Sequence, residues 1–375
     1  MLFLDFSKAF DSVDHPLLLY KLKLFGVVGE LHAWLQYYLT TRFQRVTVEG
    51  ATSDSIPVES GVPQGSILGP LFFLLYVNDM PTQTAPVRCL MFADDAKCYN
   101  HISSYNDCIN LQISLDRLVE WSGVWKLSFN ESKCKVMTIT RKKNVIFHDY
   151  KINGISLERV SEFNDLGVNI SSKLSFDSHS VKVFKKCNSL LGLLKRTVGP
   201  HANVVVKKRL FIQLVRPHLD YASPIWHPIT IGNISLIERI QRSASKFMVN
   251  YQDMPYKDRL VFLDLLPLAF RREMLDLNYF RKLLNSDISP PVTFVSHGRT
   301  RSTPYTLQIP KCNTKTFRLW YYNRIVNLWN SLPHECHVAT GPSQFKTLIC
   351  KFYRAKMSKF IVDNPRSWVA YGDML

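Results

Sequence analysis

Three aspartates stand where a folded sheet would present them together. Asp5 follows the apolar run Leu2-Phe3-Leu4, and Asp94 and Asp95 fall between two stretches, residues 87–93 and 96–100, that read as the arms of a hairpin. Taken alone, an Asp-Asp pair at a hairpin tip is ordinary turn chemistry. Convergence of Asp5 on that tip would change its meaning. Three carboxylates would then form an oxygen-rich cluster whose mutual repulsion is relieved by hard cations. Two Mg²⁺ ions about 3.5–4 Å apart suit phosphoryl transfer, one lowering the pKa of an attacking hydroxyl and the other stabilising the leaving oxygen.

The flanking sequence supplies elements that could hold such a cluster. Asp14 can cap a helix with Pro16 in its first turn, Leu17, Leu18, Leu22 and Phe25 along it and Gly26 as its stop. A second helical stretch carries Leu31, Trp34, Leu35, Tyr38 and Leu39, and residues 43–49 and 56–60 read as a hairpin. Glycines 61, 65 and 69 and prolines 63 and 70 punctuate the start of an apolar helix running through Leu75. Leu111, Leu115, Leu118 and Trp125 share one helical stripe, and a strand is expected from Val136 to Thr140. Strands interleaved with helices in this order predict an α+β domain, a mainly antiparallel sheet covered by helices. Past residue 175 the pattern turns helical.

Charge divides the chain in the same way. The net charge is +17 over 375 residues, but residues 1–140 carry 11 basic and 14 acidic side chains, against 36 and 16 in the remainder. So strong a basic excess favours a polyanionic partner, nucleic acid first and an anionic membrane surface second. On residues 181–196, Phe184, Cys187, Leu191 and Leu194 lie opposite Lys182, Lys185, Lys186 and Arg196; on 234–248, Ile237, Ile240, Ala244 and Phe247 lie opposite Arg239, Arg242 and Lys246. A basic helix face is often merely solvated, yet two of them inside one basic segment favour a surface that tracks phosphates. The longest nearly apolar run, Leu68 to Val77, is too short to span a bilayer and no partner membrane is expected. Eight cysteines without a CxxC pair read as reduced thiols of a protein of the nucleus or cytoplasm.

The residues also carry a family resemblance. Leu2-Phe3-Leu4-Asp5-Phe6-Ser7-Lys8-Ala9-Phe10-Asp11 resembles the first catalytic motif of reverse transcriptases; Ser60-Gly61-Val62-Pro63-Gln64-Gly65-Ser66-Ile67-Leu68-Gly69-Pro70 is similar to their glycine-rich second motif; and Phe92-Ala93-Asp94-Asp95 is similar to the hairpin of paired aspartates. With Leu166-Gly167-Val168 and Pro217-His218-Leu219-Asp220-Tyr221, the wording is most similar to the non-LTR, LINE-type branch. The resemblance covers roughly residues 1 to 250.

It implies an RNA-directed DNA polymerase with an RNA template, a DNA primer and dNTP substrates. Asp5 and Asp94 would be the principal ligands of two Mg²⁺ ions, with Mn²⁺ able to substitute, and Asp95 a weaker or supporting carboxylate. Phe6 and Phe10 would border the nucleotide; the Phe10 ring would clash with a ribose 2′-hydroxyl, although an ordinary core phenylalanine is the plain alternative. Gly61, Pro63 and Gly65 would let the backbone approach template and primer, and Gln64 would hydrogen-bond near the nascent pair. Lys133 would donate a proton to leaving pyrophosphate, its alternative being a surface lysine. Leu166 and Gly167 would belong to the primer-grip hairpin. Lys182, Lys185, Lys186, Arg239, Arg242 and Lys246 would grip backbone phosphate, largely without sequence preference.

The expected organisation is a palm over 1–174 with the fingers largely missing, a helical thumb over 175–284, a linker or long loop over 285–316 rich in Ser, Thr and Pro, and a C-terminal region over 317–375 with Trp320, Trp329 and Trp368. Only four residues precede Asp5, and nothing basic precedes Lys8 to hold a triphosphate. An N-terminally truncated copy that polymerises poorly or not at all in isolation is therefore the expectation; robust cDNA synthesis would contradict it. The competing class is a non-catalytic nucleic-acid-binding remnant. No zinc site is expected, since Cys312, His334, Cys336, His337 and Cys350 fit no zinc spacing.

Overall fold

The computed structural model describes residues 1–357 and 359 apart from 229, 251–252 and 296–303, so Trp368 lies outside the described residues. The chain divides into two compact units, Met1–Phe163 with Ser171–Leu174, and Asn164–Ile170 with everything from Ser175 onward.

The first unit is built on a five-stranded sheet in the order Glu158–Arg159, Lys135–Val136, Leu2–Leu4, Asp95–Tyr99, Arg88–Phe92. Every pairing is antiparallel except the outermost one, Glu158–Arg159 against Lys135–Val136. Alternation along Leu2–Leu4 decides what each face meets. Leu2 and Leu4 join a core with Phe72, Phe73 and Tyr76 of the helix Leu68–Val77 and Leu111, Leu115 and Leu118 of the helix Tyr105–Val124. Phe3 points the other way and stacks on Phe163, ring centroids 3.9 Å apart. The α+β expectation is met.

Local signals explain where the helices begin. Asp14 accepts a hydrogen bond from Leu17 N at 3.0 Å and caps the helix His15–Leu24. Ser104 and Asp107 form a reciprocal capping box on Tyr105–Val124, and the backbone amides of Ser103 and Ser104 hold the Asp107 carboxyl below its usual range. Trp125, expected on that helix, sits at its C-cap instead. Lys21 is buried with its ammonium 2.5 Å from Asp79 and 3.6 Å from the Trp125 ring centre; burial lowers its pKa, and Asp79 opposes that shift. Two strand and stripe expectations shrink on inspection. The ladder near 136–140 is limited to Lys135–Val136, and Leu31 and Trp34 of the helix Gly29–Thr40 are more than half exposed while Leu35 and Leu39 are buried.

The second unit is helical. Asp177–Val198 and Ile231–Val249 overrun the expected 181–196 and 234–248 by a few residues at their ends. Four further helices, Tyr256–Phe262, Leu268–Leu284, Tyr321–Asn330 and Pro342–Met357, were not singled out in the sequence. Leu268–Leu284 carries Phe270, Met274, Leu277, Phe280 and Leu283 at helical spacing and also buries the charged Arg272, Glu273 and Asp276. Asp276 is wholly buried, where Arg324 meets it at 2.9 Å and Ser223 Oγ donates to it at 2.8 Å. Glu238 is buried in the same unit and accepts hydrogen bonds from the Tyr256 hydroxyl and from Leu268 N at 2.9 Å. Within 285–316, Leu307 is buried and trades hydrogen bonds with the Asn330 side chain, and Trp329 Nε1 donates to Tyr305 O at 2.9 Å. Trp329 is a core residue; Trp320 is about half exposed. Among the described residues no helix is long and apolar enough to cross a membrane.

Candidate active site

Strand register brings Asp5 to the paired aspartates. Leu4, the last paired residue of its strand, lies opposite Ala96, so Asp5 and Asp95 are the next residues at the same end of the ladder. Phe92 pairs with Asp95 and closes a two-residue turn of Ala93 and Asp94. Asp95 is thus the first residue of the return strand, and Asp94 alone shares the turn with Ala93. Ala93 takes a φ of +52°, a left-handed conformation that costs an alanine about 1–2 kcal/mol. The ladder on both sides imposes this strain at the turn that carries Asp94.

The backbone of Asp5 is fixed from the neighbouring loop. Its carbonyl accepts from Asn130 N at 2.8 Å, and its amide donates to Cys134 Sγ at 3.4 Å. Burial pushes the Cys134 thiol up to about 11, so the sulfur stays protonated beside the carboxylate. Asp5 Oδ2 is closed off from solvent and makes no aligned hydrogen bond; its contact is a charge contact with Lys133 Nζ at 3.1 Å. A buried, hard carboxylate oxygen with no hydrogen bond fits a hard divalent cation. Among the described residues no group of three His, Cys, Asp or Glu side chains closes into a metal cage. Asp94 is half-buried and Asp95 exposed.

The glycine-rich segment is pinned to the first motif. Gly61 N donates to Val13 O at 2.8 Å and Val62 N to Phe10 O at 2.9 Å, while His15 Nε2 and Arg42 Nη2 both donate to Gly61 O, at 2.8 and 2.9 Å. A Cβ on Gly61 would lie 2.9 Å from Asp11 Cα, and φ is +87° there, so only glycine fits. Gln64 donates to Asp11 Oδ1 at 2.9 Å, and Gln64 and Gly65 are exposed while Pro63 is half-buried. An open cleft of about 640 Å³ follows this loop, with Asp11, Arg42, Glu59 and Gln64 among its lining. Phe10 is half-buried on Phe73, ring centroids 4.6 Å apart. Phe6 departs from the expectation of a nucleotide contact: its ring is buried and stacked on Phe129 at 4.8 Å, which leaves its main chain for any such contact.

In the second unit, Leu166 and Gly167 form the turn of the hairpin Glu162–Asp165 and Val168–Ser171, both with left-handed φ. Tyr221 holds that turn, its hydroxyl donating to Leu166 O at 2.8 Å and its ring lying 3.5 Å from where a Gly167 Cβ would stand. Asp220, beside it, is gripped by Arg271 at 2.6 Å. Lys182, Lys185, Lys186, Arg239 and Lys246 are exposed. Lys182 Nζ donates to Asn164 Oδ1 at 2.9 Å, and Arg239 lies over the Phe184 ring, tying the two basic helices together. Arg242 differs from the expectation of an outward phosphate contact. Its guanidinium is 4.8 Å from the centre of the buried Tyr256 ring, where its charge opposes the burial-driven rise of the Glu238 pKa.

Residues 1–170 match the family described as reverse transcriptase (RNA-dependent DNA polymerase). The chain carries a reverse transcriptase domain. Its curated relatives include the RNA-directed DNA polymerase from mobile element jockey of Drosophila melanogaster, 27% identical over 250 residues, covering 64% of this chain and 27% of that protein. The jockey enzyme of Drosophila funebris is 30% identical over 236 residues, covering 60% and 25%. The probable RNA-directed DNA polymerase from transposon X-element of Drosophila melanogaster is 27% identical over 254 residues, covering 66% and 28%. These relatives place the domain in the non-LTR, LINE-type branch, and the chain spans about a quarter of their length. A solved structure of telomerase from Candida albicans with a fragment of telomeric RNA overlays with a TM-score of 0.32 and 12% identity, over 75% of this chain and 47% of that one, too low to argue from.

Within the reverse transcriptase domain, sequence reasoning did not single out Cys134, Asn130 or Asp11, which fix Asp5 and Gln64. Asp11 stood inside the first motif, so its nearness to the site had a signal there, although its side-chain bond to Gln64 did not. Cys134 had none, because a thiol beside a carboxylate is recognisable only in three dimensions.

Proposed function

We propose that this chain is the polymerase part of a mobile-element reverse transcriptase, joining dNTPs to the 3′-hydroxyl of a DNA primer on an RNA template. The observation that carries it is the register that sets Asp5 beside the hairpin of Asp94 and Asp95, with Asp5 Oδ2 buried and without an aligned hydrogen bond. Asp5 and Asp94 would hold two Mg²⁺ ions, or Mn²⁺, with Asp95 in support. Once bound, such ions supply Lewis-acid stabilisation of the attacking and leaving oxygens. Lys133, on the edge of the carboxylate site, gives a proton to the departing pyrophosphate as the primer oxygen bonds to the α-phosphorus.

The remaining roles follow from exposure and rigidity. Phe10, braced on Phe73, limits the room beside the sugar and so favours deoxynucleotides. Gly61, Pro63 and Gly65 bring backbone to template and primer, and Gln64, aimed by Asp11, meets the nascent pair. Leu166 and Gly167, held by Tyr221, steady the primer end. Lys182, Lys185, Lys186, Arg239 and Lys246 contact phosphates. Eight free cysteines suit the nucleus or cytoplasm, where such templates are found.

A primer-extension assay on an RNA template with Mg²⁺ and dNTPs tests this. Templated addition lost in Asp94→Ala is the expected result. Duplex binding that weakens steeply with salt, with no addition by the wild type, would instead favour the binding remnant.

A further inference from the structure

The second unit holds a cavity of about 460 Å³ that the polymerase chemistry does not use. It lies among the helices Arg216–Asp220, Tyr256–Phe262, Leu268–Leu284 and Pro342–Met357. Its volume falls within the range of sites for small molecules, about 300–1,000 Å³. The floor is apolar, made by the buried Leu260, Leu265 and Met274. Around it stand Arg216, Lys257, Arg271, Lys346 and Arg354, and the acidic residue of the lining is Asp264.

The carboxylates nearby leave this rim cationic. Asp264 is taken by Arg354 at 2.6 Å; Asp220 is shared between Arg271 at 2.6 Å and Arg216 at 3.9 Å. Two guanidiniums crowd one carboxylate, and Lys346 makes no ion pair among the described residues. Burial and the Arg271 charge both lower the Arg216 pKa, a sign that this corner would gain from an anion. A surface that only tracks duplex backbone has no need of an apolar floor. A nucleotide taken out of its stack presents both chemistries at once, an apolar face that packs on side chains and guanidinium planes, and flanking phosphates.

We propose that this cavity binds one unpaired nucleotide of a single-stranded nucleic acid, its base over Leu260 and Met274 and its flanking phosphates on Arg216, Arg271, Lys257 and Lys346. The site goes beyond polymerisation, because it reads an unpaired strand and uses none of the aspartates.

Cys350, a free and half-buried thiol in the cavity wall, provides a local reporter. The full chain is alkylated with and without a short single-stranded oligouridylate, and each cysteine is followed by peptide mass spectrometry. Alkylation of Cys350 should slow several-fold while that of Cys89, a half-buried thiol of the first unit, is unchanged. The Lys257→Glu/Lys346→Glu variant should bind the oligonucleotide more weakly, with a log–log salt slope shallower by about 1.4, about 0.7 for each lost single-strand phosphate contact. Val261→Glu, at an exposed position of the lining, should also weaken binding without touching the core. Equal melting temperatures show that both variants are folded. Unchanged Cys350 reactivity at saturating oligouridylate overturns the site, as does protection by phosphatidylserine vesicles but not by RNA. Primer extension on a pre-annealed duplex, expected to survive in these variants and to be lost in Asp94→Ala, separates failure of this site from failure of the polymerase proposal.

Discussion

The Lys133 ammonium lies 3.1 Å from Oδ2 of Asp5, the carboxylate oxygen that no aligned hydrogen bond satisfies. The lysine side chain is 64% exposed, so it can leave that contact at small cost, and its place there is where a metal cation would compete with it. Lys133→Ala should therefore lower the Mg²⁺ concentration needed for half-maximal primer extension. The same substitution should lower the maximal rate by about 10²–10⁴-fold, the usual worth of a positioned proton donor. Titrating Mg²⁺ in both proteins separates the effects, and an unchanged maximal rate would remove Lys133 from the chemistry.

Two glycines of one loop should respond differently to the same change. Gly65→Ala meets no atom within 4 Å and carries only the left-handed strain of its φ of +81°, about 1–2 kcal/mol. Gly61→Ala adds a backbone clash 2.9 Å from Asp11 Cα and should cost more than about 3 kcal/mol. Denaturant melts of the two variants should rank them in that order.

Much of this loop was legible before folding, for a physical reason. A positive φ favours glycine and a hairpin tip favours Asp, so Gly61, Gly65 and Asp94 announce themselves by type, and Asp5 by its place after an apolar strand. Buried charge announces nothing. Arg272, Asp276 and Arg324 are of types usually found on the surface, yet they are buried and bonded within the second unit. Arg242 misled in the opposite sense, because an exposed helix position and one flanking a buried Glu238 look alike in sequence.

The Asp276–Arg324 pair gives a direct stability prediction. Arg324→Met leaves Asp276 buried with Ser223 as its remaining side-chain donor and should cost about 3–5 kcal/mol. Arg354→Met, which frees the exposed Asp264, should change stability by less than about 1 kcal/mol. Equal effects in chemical denaturation would contradict the assignment of Asp276 as a core charge.

Burial pushes the Glu238 carboxyl up to about 7, against hydrogen bonds from Tyr256 and Leu268 that pull it down. The folded state thus holds a proton that the unfolded state releases above the ordinary carboxylate range near 4.5. This contribution is complete below pH 4.5 and is lost as the pH rises to 7, at a limit of about 1.4 kcal/mol per pH unit. Glu238→Gln should flatten the stability profile in that window. Parallel profiles for the two proteins between pH 5 and 7 would contradict a protonated Glu238.

Whether Asp5 and Asp94 act together as metal-holding carboxylates is tested most directly by single-turnover addition of one templated deoxynucleotide to a primer on RNA. The wild type should add it only with Mg²⁺ or Mn²⁺ present, at whatever rate this chain supports. Asp5→Asn and Asp94→Asn should each bind the same duplex with unchanged affinity at a fixed salt concentration and add nothing measurable. Metal-dependent addition that persists in either variant would contradict the account.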